Sequence, residues 1–538
     1  MPGWVGSIHP GLPQAPSAER DPCPLGPQWL GRALLYIMGP VPNVRGGERV
    51  TVEELVHRAT GGRRFDRQSL FRPSLVYQTL KDPFWVWCEY HAPRSEAVDE
   101  TTRYDTLRLQ WGIAHEQAWI RRHYPDAVTI DPPFGIEALR NTGRAMLEGA
   151  RAIYQPQLWD LVAETYGRAD LLLRDDTRAS DLGPYSYRLV EIKRSKSLRD
   201  YHVLDAAFYN RMLGKIQGYS PPEMTLVIGE AVEEVPYIVR EKELDKILLR
   251  WRTLRDGGYV PEPGRPPGVT ASPWRVYGKK FVEERSDLVL LAGVGERERE
   301  RLRAAGIRRV DHLWELSLEK VCEMLGNRHG AQAYYVAQAY KTNQPVLKPG
   351  VRLDIPRGER HLYFDFESVD DLHPCVPPHV YLVGCWDAAQ DRYEKFWAHG
   401  PADEAKVFHE FLKYVGDGTN TVLYHWTDYE ITQMKSVIQR WPELGAPLGD
   451  LMASCVDLKQ VIQSAVYLPV PSFSLKSVAP ALGFRWRQEN FDAFESMVCY
   501  WDYLDGTEGA IMDNVFLYNE DDCRAMWQVD RDLTTRKI

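Results

Sequence analysis

The sequence predicts a multidomain α/β protein in which a small all-α module separates two α/β blocks. The chain has 538 residues, and single hydrophobic cores stop growing near ~250–300 residues, so we expect several domains. Hydrophobic residues make up 44% and charged residues 26% of the chain. This balance is typical of soluble globular proteins and excludes collagen-like, disordered and coiled-coil chains. Two Pro-containing segments, 260–273 and 343–350, bound the helical module.

Residues 1–66 form a predicted N-terminal extension that is partly disordered, because residues 1–30 are rich in Pro and Gly. The first residues lack the basic start and apolar core of a secretory signal. No apolar run approaches the ~18–20 residues that cross a bilayer. The eight cysteines include no C-x-x-C pair, which argues against a disulfide framework or a zinc ribbon. We therefore expect a cytoplasmic protein without a membrane partner.

The first α/β block spans residues 67–280. Apolar residues at helical spacing predict a helix over 112–124. The segments 170–173 and 188–193 are apolar strands, joined by a polar connection that contains Gly and Pro and predicts a long hairpin. A helix near 200–216 and a further strand, MTLVIG, follow.

Two carboxylates and a lysine come together across this hairpin. Asp170 opens one strand, and Glu191 and Lys193 share a face of the other because strand side chains alternate. Carboxylates hold divalent cations, and a lysine can orient water or offset charge at a reacting phosphate. An isolated E-x-K is usually an ordinary surface charge pair, but the apolar strand context favours a functional site here.

These residues resemble the PD-(D/E)xK nuclease superfamily in its RecB-like branch, with a restriction-endonuclease-like α/β core. The resemblance implies a metal site of His115, Asp170 and Glu191 that binds Mg²⁺ or Mn²⁺, with Lys193 as a catalytic residue. It also implies a catalytic role for Tyr209, although Asp205 stands where the helper motif of the family has glutamine. Relatives often add four cysteines for an iron–sulfur cluster, but VTASPWRVYGKK after this core has none. We expect no cluster.

The all-α module spans residues 286–345, and its sequence from 287 to 307 predicts helix, Gly-Val-Gly turn, helix. It resembles the helix-hairpin-helix motif, with Gly293 and Gly295 in the turn. The resemblance implies that both glycines and Arg297 contact a nucleic-acid backbone without reading its sequence. The alternative is a tight turn between helices that serves only domain packing.

The second α/β block spans residues 358–538 and contains a second acidic pattern. Asp365 and Glu367 lie two apart on an apolar strand, so both carboxylates face one side. Tyr518 and Asp522 lie four apart and share one face of a helix. Tyr-x-x-x-Asp is a weak motif by itself, and its order after the Asp-x-Glu strand strengthens it.

This order resembles the DEDDy 3′–5′ exonucleases of the RNase H-like fold, in a YprB-like branch. The resemblance implies that Asp365, Glu367, Glu430 and Asp522 hold Mg²⁺ or Mn²⁺ and that Tyr518 orients water. The middle motif is YHWTDYE, where Asp428 is the alternative ligand to Glu430. The segment 474–484 also fits this branch.

The three parts in this order resemble a bacterial family of two-nuclease proteins. The resemblance implies a metal-dependent nuclease with two phosphodiesterase sites that acts on nucleic acid, DNA favoured over RNA, in repair, recombination or defence. No phosphate loop of the G-x-x-x-x-G-K-[ST] type occurs, so any helicase would be a separate partner. Two alternatives remain open: a nucleic-acid-binding scaffold with a degenerate nuclease site, and an RNA-processing exonuclease. The net charge of −9 does not decide between them.

Overall fold

The computed structural model describes residues 50–98, 100–266, 268–416, 418, 420–488 and 491–536. By its contacts the chain divides into two units, Met1–Val50 and Thr51–Ile538. The disorder predicted for residues 1–30 lies outside the described residues. No helix in the described part of the chain is both long and apolar enough to cross a membrane.

The N-terminal α/β part of the second unit, up to residue 284, is built on a mixed six-stranded sheet in the order β1-β2-β5-β6-β7-β8. Strands β2, β5 and β6 are antiparallel neighbours, and β7 runs parallel to β6 after helix α6. Its helices are α1 (Val52–Thr60), α2 (Val76–Lys81), α3 (Pro83–His91), α4 (Arg103–His123), α5 (Ile136–Leu147), α6 (Asp200–Gln217), α7 (Glu241–Arg255) and α8 (Arg275–Glu284). Its strands are β1 (Val128–Thr129), β2 (Ala152–Tyr154), β3 (Gln157–Asp160), β4 (Thr165–Arg168), β5 (Leu171–Asp175), β6 (Ser186–Lys193), β7 (Glu223–Ile228) and β8 (Ala231–Pro236).

Helix α1 lies within the segment that the sequence assigned to an N-terminal extension. Thr51 and Glu54 form a capping box at its start, and Leu55, Val56 and Ala59 are buried. The helix packs against α5, α6 and β3. Residues 51–66 therefore belong to the folded unit, and the extension predicted for residues 1–66 is too long. The T-x-x-E pattern was the sequence signal for this helix.

The small module between the two α/β parts contains three α-helices, which are α9 (Glu296–Ala304), α10 (Leu318–Leu325) and α11 (Asn327–Thr342). The helix predicted just before the Gly-Val-Gly turn is wrong, since Leu288–Leu290 forms a single 3-10 turn. Ser286 has a positive φ of 49°, which interrupts helical geometry, and the Asp287 side chain accepts a hydrogen bond from the backbone N–H of Val289. Helix α8 therefore ends before the turn.

The C-terminal α/β part has a five-stranded sheet in the order β12-β11-β10-β13-β14. The central strand β10 is antiparallel to β11 and parallel to β13, and the long last helix α18 packs on β10 and β11. Strand β9 (Val346–Leu347) pairs separately with β15 (Val466–Tyr467). The sheet strands are β10 (Arg360–Val369), β11 (His379–Asp387), β12 (Arg392–Trp397), β13 (Thr421–His425) and β14 (Cys455–Asp457). The helices are α12 (Glu404–Val415), α13 (Tyr429–Arg440), α14 (Gly445–Ser454), α15 (Leu458–Ala465), α16 (Leu475–Ala481), α17 (Ala493–Leu504) and α18 (Met512–Thr535).

Helix α4 contributes to the cores of both α/β parts. Trp119 and Ile120 near its end pack with the β5–β6 core of the N-terminal sheet. Tyr104 in its first turn is buried in the C-terminal core, where its ring stacks on Phe494 with the ring centroids 4.6 Å apart. One helix thus ties the two α/β parts together.

We predict that Tyr104→Ala destabilises the C-terminal α/β part although Tyr104 belongs to a helix of the N-terminal part. The change removes a buried aromatic ring and leaves a cavity, which typically costs about 3 kcal/mol. Denaturant unfolding measures the free energy of unfolding. Limited proteolysis then shows whether the C-terminal part is the part that loses protection. Tyr259→Ala is the matched control, since Tyr259 is 44% exposed and its loss should cost less than about 0.5 kcal/mol. Equal stability of the two variants would contradict the shared core.

Candidate active sites

The C-terminal part holds a compact cluster of carboxylates on the central strand and the last helix. Asp365, Glu367 and Asp522 each offer an oxygen, and these oxygens lie within 4.8 Å of one another. Strand alternation places Asp365 and Glu367 on one face of β10, and α18 packs across that face and brings Asp522 to them. The sequence predicted this convergence.

Glu430 is the fourth carboxylate of this cluster. It is buried in the first turn of α13. Burial, followed by the charges of Asp522 and then Glu430, raises the pKa of Asp365 well above the usual range. The Oε2 of Glu430 is buried without a hydrogen-bond partner among the described residues. Asp428, the alternative, is exposed. The geometry therefore favours Glu430 as the ligand from the middle motif.

Three polar neighbours of the cluster were missed by sequence reasoning. Asn519 Nδ2 donates to Asp365 Oδ2 at 2.9 Å, while Trp486 Nε1 donates to Asp522 Oδ1 at 2.7 Å. Lys476 Nζ lies 3.2 Å from the same Asp522 oxygen. Lys476 falls inside the 474–484 segment that the sequence singled out, but nothing in that segment indicated its contact with Asp522.

The tyrosine of the last motif lies beside the cluster. Tyr518 is one turn before Asp522 on α18, and Lys476 Nζ lies 4.4 Å from the centroid of its ring. Burial, followed by the charge of Asp522, raises the pKa of the Tyr518 hydroxyl well above its usual range. The hydroxyl is therefore neutral at physiological pH and can donate a hydrogen bond.

Buried negative charge dominates the electrostatics of this site. Burial is the first cause of a raised pKa for Asp365, Glu367 and Asp522, and that of Glu367 reaches about 8. Lys476 supplies one positive charge near four carboxylates. Three carboxylate oxygens within 4.8 Å of one another are a donor set that hard divalent cations such as Mg²⁺ and Mn²⁺ prefer. The residues present fit such a cation.

The N-terminal part brings Asp170, Glu191 and Lys193 together at the β5–β6 hairpin. Lys193 Nζ lies 2.7 Å from Glu191 Oε2 and 3.5 Å from Asp170 Oδ2. The backbone N–H of Ile192 donates to Asp170 Oδ2 at 2.7 Å. Burial and the charge of Asp170 raise the pKa of Glu191 to about 8. Desolvation lowers the pKa of Lys193, but the two carboxylates outweigh it and raise that pKa well above its usual range.

Helix α6 adds two groups to this N-terminal cluster. Burial raises the pKa of Asp205 to about 7, and the charge of Lys193 opposes this rise. Tyr209 is close enough for Glu191 and Lys193 to influence its pKa, and it packs against Gly167 so tightly that a Cβ there would lie 2.6 Å from its ring. Asp205 and Tyr209 thus lie one turn apart on α6, near Lys193.

His115 is not brought into contact with Asp170 or Glu191 in the described structure, and its Nε2 is buried without a hydrogen-bond partner there. The adjacent Glu116 lies closer to the cluster, because burial and then the charge of Asp170 raise its pKa while Lys193 lowers it. One residue along a helix rotates a side chain by about 100°. Glu116, next to the predicted ligand His115, is therefore a carboxylate of α4 that interacts electrostatically with Asp170.

The Gly-Val-Gly turn of the helical module precedes helix α9 and packs against helix α11. Gly293 has a φ of 75°, and Gly295 precedes α9. Gln332 Nε2 from α11 donates to the carbonyl of Ala292 at 2.7 Å. Arg297 is exposed and, within the described ranges, has no ion pair. The turn thus packs on α11 and leaves Arg297 open to solvent.

Residues 362–534 match the family model of the RNase H superfamily. The match runs from β10 into α18 and contains all four clustered carboxylates, so this part of the chain is an RNase H-like domain. Such a domain indicates a nuclease-type activity with nucleic acid as the substrate, and RNase H-like nucleases typically depend on divalent metal ions. A comparison with curated proteins finds no match.

We predict that the metal-free protein loses stability as the pH rises from about 4.5 to 8. The raised pKa of Glu367, about 8, lies above the value of about 4.3 in an unfolded chain. The folded state therefore binds more protons in this window, and its free energy of unfolding falls as the pH rises. Thermal or denaturant unfolding in EDTA at several pH values measures the slope.

Glu367→Gln should reduce the pH dependence of the free energy of unfolding by an amount that corresponds to up to about one bound proton, because glutamine does not titrate. Glu443→Gln is the control, since Glu443 is exposed. Mg²⁺ should stabilise the wild type most at pH 8, where the carboxylates are ionised. An unchanged slope in Glu367→Gln would contradict the raised pKa.

Proposed function

We propose that the protein is a metal-dependent nuclease with two phosphodiesterase sites, of which the C-terminal one is a 3′–5′ exonuclease. The observation that carries the proposal is the buried cluster of Asp365, Glu367, Glu430 and Asp522 on an RNase H-like sheet. Four acidic groups buried together with one lysine are costly to fold without a cation. The cost is consistent with selection for catalysis.

In the C-terminal site the four carboxylates would hold Mg²⁺ or Mn²⁺, which would stabilise the attacking and leaving oxygens of the phosphodiester. Asn519 orients Asp365 through its hydrogen bond to Oδ2. The Tyr518 hydroxyl remains protonated and orients the attacking water. Lys476, held over the rings of Tyr518 and Trp486, offsets negative charge at the reacting phosphate.

The N-terminal site is proposed as a RecB-like nuclease site. Three antiparallel strands (β2, β5, β6), the helix α6 and the parallel strand β7 support a restriction-endonuclease-like core. Asp170, Glu191 and Glu116 would hold the metal ion. Lys193 stays charged between Asp170 and Glu191 and would pair with a non-bridging oxygen of the scissile phosphate. Tyr209, in the middle of α6, packs beside them and would have the catalytic role that the resemblance implies.

DNA is the substrate we favour, on the resemblance to bacterial two-nuclease proteins, with a role in repair, recombination or defence and with a helicase as a possible separate partner. The exposed Arg297 beside Gly293 and Gly295 would contact the backbone of that nucleic acid. A panel of single-stranded DNA, duplex DNA and RNA of one sequence, with Mg²⁺ or Mn²⁺, tests this choice. Cleavage of RNA alone would make the protein an RNA-processing exonuclease. No cleavage by either site would leave a binding scaffold.

We predict that the two sites lose activity independently. Lys193→Ala should remove the activity of the N-terminal site by at least about a hundredfold and spare metal-dependent 3′–5′ trimming. Asp365→Asn should do the reverse, because one ligand charge is lost from the C-terminal cluster. End-labelled substrates resolved by length measure both activities. The matched controls are Lys242→Ala and Asp391→Asn, both at exposed positions. Loss of both activities in either site variant would contradict separate sites.

We predict that Glu430 rather than Asp428 supports trimming. Glu430→Gln keeps the shape of the side chain but removes a buried ligand charge, so trimming should fall by at least about a hundredfold. Asp428→Asn alters an exposed carboxylate and should change the rate by less than about twofold. Glu430→Asp should retain part of the activity, because the carboxylate is kept. The reverse pattern would make Asp428 the ligand.

A further inference from the structure

The N-terminal part contains a cavity of about 500 Å³ that is separate from both carboxylate clusters. It is lined by the segment 67–75, by helix α3 with the residues that follow it, and by Tyr166 of strand β4. Small-molecule sites typically measure ~300–1,000 Å³. The cavity is therefore large enough for a nucleotide.

The charge of this cavity is opposite to that of the whole chain. Its lining includes three arginines, Arg67, Arg72 and Arg94, against one carboxylate, Glu89, whereas the chain carries a net charge of −9. Glu89 is already engaged, since its Oε1 accepts a hydrogen bond from Trp274 Nε1 at 2.7 Å and its backbone carbonyl accepts one from Arg94. The cavity consequently offers excess positive charge to a ligand.

Two of the arginines have no anionic partner in the described part of the chain. Neither Arg67 nor Arg72 forms an ion pair there, and the Nε of Arg72 is buried without a hydrogen-bond partner. A buried guanidinium N–H without an acceptor is costly, and a phosphate oxygen is the acceptor whose geometry the guanidinium fork matches. The aromatic residues Trp85 and Tyr90 line the same cavity and provide surface for a base or sugar.

The cavity also lies close to the N-terminal carboxylates along the chain. Tyr166 of β4, in its wall, precedes Asp170 by four residues, so their Cα atoms are at most about 14 Å apart. That distance corresponds to at most roughly four nucleotides of a stacked strand at ~3.4 Å each, and to fewer of an extended single strand. Pro73, adjacent to Arg72, and Tyr209 both pack against Gly167 of the same strand, so the cavity wall and the site are joined by tight packing.

We propose that this cavity binds a terminal phosphate, with its nucleotide, of the strand that the N-terminal site cuts. The inference rests on the proposed nuclease function and names the part of the substrate that is recognised. Arg72 and Arg67 pair with the phosphate. A strand anchored in this way meets Asp170 and Glu191 a few nucleotides from its end, so the site releases short oligonucleotides of up to about four residues.

Binding is tested without catalysis, on the full chain in EDTA. The probes are 12-residue single-stranded oligonucleotides of one sequence that carry a 5′-phosphate, a 3′-phosphate or no terminal phosphate, followed by fluorescence anisotropy. We expect a phosphorylated end to bind about tenfold more tightly than the unphosphorylated strand. Arg72→Gln and Arg67→Gln should each remove most of that preference, while Arg72→Lys keeps part of it. Arg250→Gln, which removes an exposed charge elsewhere in the same part of the chain, should retain it.

The outcomes distinguish a phosphate at a strand end from a free mononucleotide, and they distinguish failure of the cavity proposal from failure of the nuclease proposal. In one outcome, a free deoxynucleoside 5′-monophosphate competes with all three oligonucleotides equally, in a way that depends on Arg72. That result would assign the cavity to a released product and would support phosphate binding there. Equal binding of all three oligonucleotides without such competition, or equal loss in Arg250→Gln, would overturn the proposal. Because Arg67 is exposed, Arg67→Gln remains informative if Arg72→Gln does not fold. Metal-dependent cleavage without end preference would refute the cavity alone, and end preference without any cleavage would refute the nuclease function alone.

Discussion

Mutual repulsion among buried carboxylates is the constraint around which the C-terminal part of the protein is organised. Asp365, Glu367, Glu430 and Asp522 lie together at a largely buried point, and burial is the largest cause of the raised pKa of Asp365, Glu367 and Asp522. A fold with no use for this cluster would gain stability by losing it. The surrounding residues reduce the cost through directed donors, Asn519 on Asp365 and Trp486 on Asp522. A divalent cation would supply the remaining charge.

The two acidic clusters meet the same constraint in different ways. In the N-terminal cluster Lys193 contacts both Asp170 and Glu191, so its positive charge is shared between the two carboxylates nearest to it. In the C-terminal cluster Lys476 reaches only Asp522, while the oxygens of Asp365 and Glu367 face the same point as that of Asp522. In the C-terminal cluster, therefore, Asp365 and Glu367 have no hydrogen bond from a lysine among the described residues. A metal ion entering the N-terminal cluster would have to share the carboxylates with Lys193.

Side-chain positions that follow from the period of a strand or a helix could be predicted from the sequence. Positions that depend on how distant parts of the chain pack together could not. The strand positions of Asp365 and Glu367 followed from alternation, and the pairing of Tyr518 with Asp522 followed from helical spacing. The choice between His115 and Glu116 depended on the rotation of α4 about its axis, which is set by Tyr104 in one core and Trp119 in the other. Pattern matching to the RecB-like branch selected the histidine. The packing of α4 brings Glu116 within the electrostatic influence of Asp170.

Helix α4 also limits how far apart the two clusters can lie. Tyr104 donates a hydrogen bond to Asp370, three residues beyond Glu367, and Glu116 follows Tyr104 by twelve residues, or about 18 Å along a helix. Arg194, next to Lys193, donates to the carbonyl of Leu372 in the loop that follows β10. The end of the hairpin that carries the N-terminal cluster therefore contacts the loop after the strand that carries Asp365 and Glu367. The two clusters lie on the order of 30 Å apart or less. About nine nucleotides at ~3.4 Å each span that distance. One strand can therefore contact both clusters only if it is longer than the short oligonucleotides that the N-terminal site would release.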